Sequence, residues 1–89
     1  MELQIKMISS ASRVLSYHRE NPNSIDEDIF QDLSDYISEQ SINDEKVIRA
    51  MIAAASIAIK LKRKNLDSEK QVLKKVIDEI PRIVQEIDE

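Results

Sequence analysis

The sequence predicts an all-α protein, an up-and-down four-helix bundle, and three observations carry that prediction. Apolar residues recur at helical spacing through four separate segments. The breaks between them are only about 3–5 residues long, a length that favours antiparallel neighbours. The third segment, Val47 to Leu61, is apolar over an arc of about 260° on a helical wheel, where a helix seated on one core needs little more than about 100°. Such a segment has to be wrapped by neighbours or to keep a face for a partner.

Leu3 to about Arg19 reads as the first helix. Leu3, Met7, Ile8, Ala11, Val14, Leu15 and His18 share its stripe, and Ser9, Ser12 and Ser16 lie opposite. Asn21-Pro22-Asn23 stops it, because a residue before proline is pushed out of the helical region. The second helix is expected to open on a capping box of Ser24 with Glu27. Its stripe is Ile25, Ile29, Phe30, Leu33, Tyr36 and Ile37. Asp26, Glu27 and Asp28 suit the positive end of its dipole.

After a break at Gln40 to Asn43, Asn43 is the expected cap of the third helix, about Asp44 to Lys64, with Ile42 packing on Val47 as a staple. Lys60, Lys62, Arg63 and Lys64 crowd its last turn, where cations offset the exposed carbonyls. Asp67, or Ser68 paired with Gln71, caps the fourth helix. Val72, Leu73, Val76, Ile77 and Ile80 lead to Pro81, and Ile83, Val84 and Ile87 keep the same phase beyond it. Phase kept across a proline predicts one helix kinked at Pro81 rather than a new element.

Eighty-nine residues make a single domain, 1–89. There is no cysteine, hence no disulfide framework and no zinc-thiolate site, which suits a reducing cytoplasm. There is no glycine either, so no dinucleotide fingerprint, phosphate-binding loop or nucleophile elbow can be written. Helix ends are left to Asn21, Asn65 and frayed turns. The N-terminus lacks the basic-then-apolar pattern of a signal peptide, and the longest apolar run falls short of a membrane span. The expectation is a soluble, cytoplasmic protein.

The net charge of −4 is strongly segregated. From Glu20 to Glu45 there are nine acids and no Lys or Arg; from Lys46 to Lys75 there are nine bases against Asp67 and Glu69 alone. The acidic row Asp28, Asp32, Asp35 and Glu39 has the spacing of a helix face, but it does not match a calcium-binding loop and reads as a solvated or ion-paired face. His18 is the sole imidazole, expected at the end of its helix with the ring partly packed. No catalytic residue, cofactor or metal site follows from these positions, and the chain is expected not to be an enzyme.

Two surfaces are candidates for binding. Ala50, Ala54 and Ala58 form an i, i+4, i+8 ridge flanked by Ala53, Ile57 and Leu61. Small side chains along a ridge let another helix approach closely. These six are the candidate interface for a protein partner or a second copy, a homodimer through the third helix. The opposite sector, Ile48, Met51, Ile52, Ala55 and Ile59, reads as ordinary core. The second surface is a basic corner of Lys60, Lys62, Arg63, Lys64, Lys70, Lys74 and Lys75, able to meet phosphates. No aromatic residue interleaves it to stack bases. A helix-turn-helix over Leu33 to Ile52 would aim Asp44 and Glu45 at phosphate, the wrong charge. Nucleic acid is therefore the alternative partner and protein the first.

Val47-Ile48-Arg49-Ala50 leading into an alanine-rich helix, then a second apolar helix ending near Ile80, resembles a family of short archaeal all-helical proteins, uncharacterised protein family one-four-seven. The likeness covers roughly Phe30 to Ile80, and its motif is Ile-Arg-x-x-x-Ala, here Ile48, Arg49 and Ala53. The resemblance implies an archaeal, cytoplasmic four-helix bundle and supplies no site residues.

Overall fold

The apolar periods become four helices in a computed structural model that describes residues 2–65 and 68–88. They are α1 (Glu2–Glu20), α2 (Asp26–Glu39), α3 (Glu45–Asn65) and α4 (Glu69–Asp88). Among the described residues there is no strand. Ion pairs fix the directions. Arg19 at the end of α1 meets Glu69 at the start of α4 at 2.9 Å, and Arg63 near the end of α3 meets Asp26 at the start of α2 at 2.9 Å. So α1 and α3 run one way, α2 and α4 the other, as expected of an up-and-down bundle.

The helix ends differ from expectation in two places. Ser24 does not cap α2. Its hydroxyl donates instead to the Asn21 carbonyl at 2.7 Å, the helix starts two residues later, and Ile25 stands at the cap position with no side-chain hydrogen bond. The three acids of the first turn are left to compensate the dipole. At α3 the cap is Asp44 rather than Asn43: its carboxylate accepts from the Lys46 and Val47 amides at 2.9 and 3.4 Å. Ile42 is half-buried and joins the core with Val47. Ser68 and Gln71 do form the reciprocal box at α4, the Gln71 amide donating to the serine hydroxyl and the Ser68 amide to the glutamine carbonyl. Asp67 lies outside the described residues.

Without glycine, α2 closes on Ser41 in the left-handed region at φ 56°. The Ile42 amide donates to the Ile37 carbonyl and the Ser41 amide to Ser38, a Schellman closure. Asn21 serves α1, its amide and side chain both donating to the Tyr17 carbonyl. α4 continues through Pro81. Pro81 is exposed, so the Ile77 carbonyl that loses its helical donor is on the water side of the helix.

The packing is not a square. α1 and α3 share the broadest contact, α4 packs on both, and α2 leans on α1 while meeting α3 only sparsely. The result is flattened, 34 × 27 × 18 Å along its principal axes. At the centre, the Ser10 hydroxyl lies 2.8 Å from the main-chain oxygens of both Met7 and Met51, sharing its proton between its own helix and α3. Ser10 is the one fully buried polar side chain among the described residues. A serine hydroxyl reaches the backbone of a neighbouring helix only when the axes come to roughly 8 Å, the short end of the usual range. Ala11 of α1 and Ala50, Ala54, Ala55 and Ala58 of α3, all fully buried, leave room for it. α3 carries the most buried positions of any helix, as its broad apolar arc requires.

Ser10→Ala removes an interhelical bond and leaves no unpaired donor, so urea denaturation should show a loss of about 1 kcal/mol. Ala54→Leu forces the same two backbones apart and should cost about 1–3 kcal/mol. A neutral Ala54→Leu would show that the close approach is absent in solution.

Candidate functional site

The alanine ridge turns inward. Ala50, Ala54 and Ala58 have no exposed surface, covered entirely by the chain itself, and Ala53, Ile57 and Leu61 are half-buried against the core. The first three are therefore withdrawn as interface residues: the close approach they permit is made within one chain. The core sector needs the opposite correction. Met51, Ala55 and Ile59 are buried, but Ile48 is half-buried and Ile52 is 40% exposed. The physical reason is the lean of α2 toward α1, which uncovers the flank of α3 that a square bundle would have sealed.

α2 is drawn to that side by Arg13. Its guanidinium grips Asp32 with two hydrogen bonds, 2.9 and 3.1 Å, and lies 5.2 Å over the Tyr36 ring. The bonds to Asp32 raise the arginine further above its ordinary pKa. Planar two-point pairing plus stacking is a geometry that lysine cannot supply. Asp32 is thereby taken out of the supposed acidic row, and Asp28 and Asp35 stay exposed. Among the described residues no group of three or more His, Asp or Glu is placed to hold a metal. His18 is half-buried in the last turn of α1.

Where α2 stands off α3, an open pocket of about 390 Å³ forms, lined by Asp26 and Phe30 of α2 and Ser56, Ile59, Lys60, Arg63 and Lys64 of α3. Phe30 and Ile59 make an apolar floor, and three cations and one carboxylate make the rim. Ile52 does not line the pocket but lies one helical turn from Ser56 on the same flank of α3, so the pocket and this adjoining flank make up the furrow. Arg63 closes the end of it, donating to Asp26 at 3.0 Å and to the Ser24 carbonyl at 3.2 Å.

The basic corner is divided by this geometry. Lys60, Arg63 and Lys64 line the furrow, whereas Lys75 lines a second groove with Ile57, Leu61, Asp78 and Glu79 on the other side of α3. Lys70 and Lys74 are exposed at the start of α4, and Lys62 is half-buried. The sequence puts Phe30 in the apolar stripe of the second helix and singles out no role for Ser56; nothing in their spacing joins them. Chemically, the furrow offers an apolar seat with cations at one end.

No protein-family model matches the chain, and the comparisons with curated proteins and with solved structures likewise give no match.

Because Ile52 is open and Ile59 is 3% exposed, the two isoleucines should respond differently to truncation. Ile59→Ala is expected to cost about 2–4 kcal/mol in chemical denaturation and Ile52→Ala under about 1 kcal/mol. Equal costs would mean that the furrow is closed in solution.

Proposed function

We propose that the chain is a non-enzymatic protein-interaction module that self-associates through α3, using the furrow flank rather than the alanine ridge. The observation that supports this is Ile52, a large apolar side chain left open one turn from the half-buried Ile48 on the helix with the most buried positions. An apolar furrow rimmed by charge is the usual form of a helix-binding surface. A reducing cytoplasm suits a chain without cysteine. Among the described residues no helix is long and apolar enough to cross a membrane. The resemblance to short archaeal helical bundles accords with this reading and adds no activity to it. Light scattering across a concentration series should show dimers forming, and Ile52→Glu should shift the midpoint at least tenfold toward monomer. A particle that stays monomeric to about 1 mM, in the range of the weakest specific contacts, would remove self-association.

A second reading, a nucleic-acid accessory protein, has one observation in its favour. Lys60, Lys64, Lys70 and Lys74 are exposed at one end of the bundle and hold no ion pair among the described residues. Binding through them to a mixed-sequence RNA or DNA oligonucleotide should weaken by roughly one logarithmic unit per released contact for each tenfold rise in salt. No binding at about 50 mM salt, where phosphate contacts are strongest, would end that reading.

A further inference from the structure

We propose that the occupant of the α2–α3 furrow is a second copy of this chain, with α2 of each copy lying on α3 of the other around a two-fold axis parallel to the helices. This rests on the self-association reading above and specifies its geometry. The carrying observation is where the segregated charges end up. The start of α2, with Asp26, Glu27 and Asp28, stands at the same end of the bundle as the end of α3, with Lys60, Arg63 and Lys64, and the start of α4, with Lys70 and Lys74. Asp26 and the cations Lys60, Arg63 and Lys64 border the furrow side by side, with Glu27 next to Asp26 in the chain; Asp28 borders the turn between α1 and α2 instead, and Lys70 and Lys74 are on α4, which lines the groove at Ile57 and Leu61.

Among the described residues acid and base meet at Arg63 and Asp26. Glu27 on one side, and Lys60 and Lys64 on the other, hold no ion pair among the described residues. A two-fold axis running along the furrow leaves heights on the bundle unchanged and exchanges left for right. It therefore sets the acidic first turn of one copy against the basic last turn of the other, twice, in an isologous contact. The same operation opposes the positive end of one α2 to the negative end of the other α3. Ile52, the Phe30 edge and Ser56 fall near the axis, where the contact is driest. An axis perpendicular to the helices would instead bring the two ends to opposite heights and leave both charge clusters unmatched.

The size of the face sets the strength. α2 and α3, at 14 and 21 residues, are about 21 and 31 Å long at 1.5 Å per residue. Two helices side by side give a footprint on the order of 500 Å² per copy, below the roughly 800 Å² of a standard interface. The dimer is accordingly weak, with a dissociation constant on the order of 100 μM, and it weakens with salt.

Charge exchange tests the arrangement. One variant carries Lys60→Glu with Lys64→Glu, and the other Glu27→Lys, all at exposed positions. By sedimentation equilibrium each alone should lose at least tenfold in self-association, since like charge then faces like charge in both halves. An equimolar mixture should recover pairing at the wild-type level, because both halves are then matched. Far-UV circular dichroism checks that α2 survives. If the reversed charge unfolds it, Glu27→Gln replaces that partner, and should pair with the acidic variant better than the acidic variant pairs with itself. A wild type that dimerises while the variants do so equally well, or while their mixture shows no recovery, overturns this geometry and leaves self-association standing. A wild type monomeric throughout overturns both.

Discussion

The approach of α1 to α3 is the constraint on which the other helices arrange themselves. The Ser10 hydroxyl touches the Met51 carbonyl because nothing larger than alanine stands beside it on α3 at Ala50, Ala54, Ala55 and Ala58. Without that acceptor the hydroxyl would keep only the Met7 carbonyl of its own helix. The contact ties register to distance, because the bond across to α3 forms only where Ser10 and the Met51 carbonyl face each other. With two parallel helices this close, the remaining two cannot complete a square. They lie in the outer grooves, α4 touching both members of the central pair and α2 mainly one.

Electrostatics decides which one. Arg13 holds α2 to α1 near its middle through Asp32 and Tyr36, and Arg63 holds its start to α3. The two anchors are on different neighbours, so α2 is fastened to α3 at one end and stands away from it further along. That is how a chain with so few aromatic residues comes to have an apolar furrow at all. Each pair is partly exposed and individually worth little, about 0–1 kcal/mol. Their influence is on geometry more than on stability, which here comes from the continuous core of Met7, Val14, Leu15, Leu33, Met51, Val72 and Val76.

The same lean explains the furrow's chemistry. The cations that gather at the end of α3 offset its carbonyl dipole, and the acids at the start of α2 offset its amides. An antiparallel helix pair then necessarily places acid beside base at one end. One ion pair forms across the gap; the remaining charges face outward. Surface that is apolar in its floor and charged at its rim is a consequence of helix-end electrostatics acting on two helices that are not quite in contact.

Periodicity was enough to define four helices, their order and most of the core, because a helical stripe has to be buried whatever it is buried against. The run through Pro81 was readable for the same reason: Ile80 and Ile83 keep phase. Helix starts were read less well, since Ser24 and Asn43 are good caps that lost to Ile25 and Asp44 once the loops had to reach their neighbours. What tertiary structure alone decided was which part of α3 meets which helix. A wheel shows that Ala54 and Ile52 are both apolar, but not that one is fully buried while the other is open to water. That assignment depends on Ser10 finding a backbone oxygen 41 residues away and on Arg13 finding Asp32. Both are contacts between segments far apart in the chain, and local spacing carries no record of them.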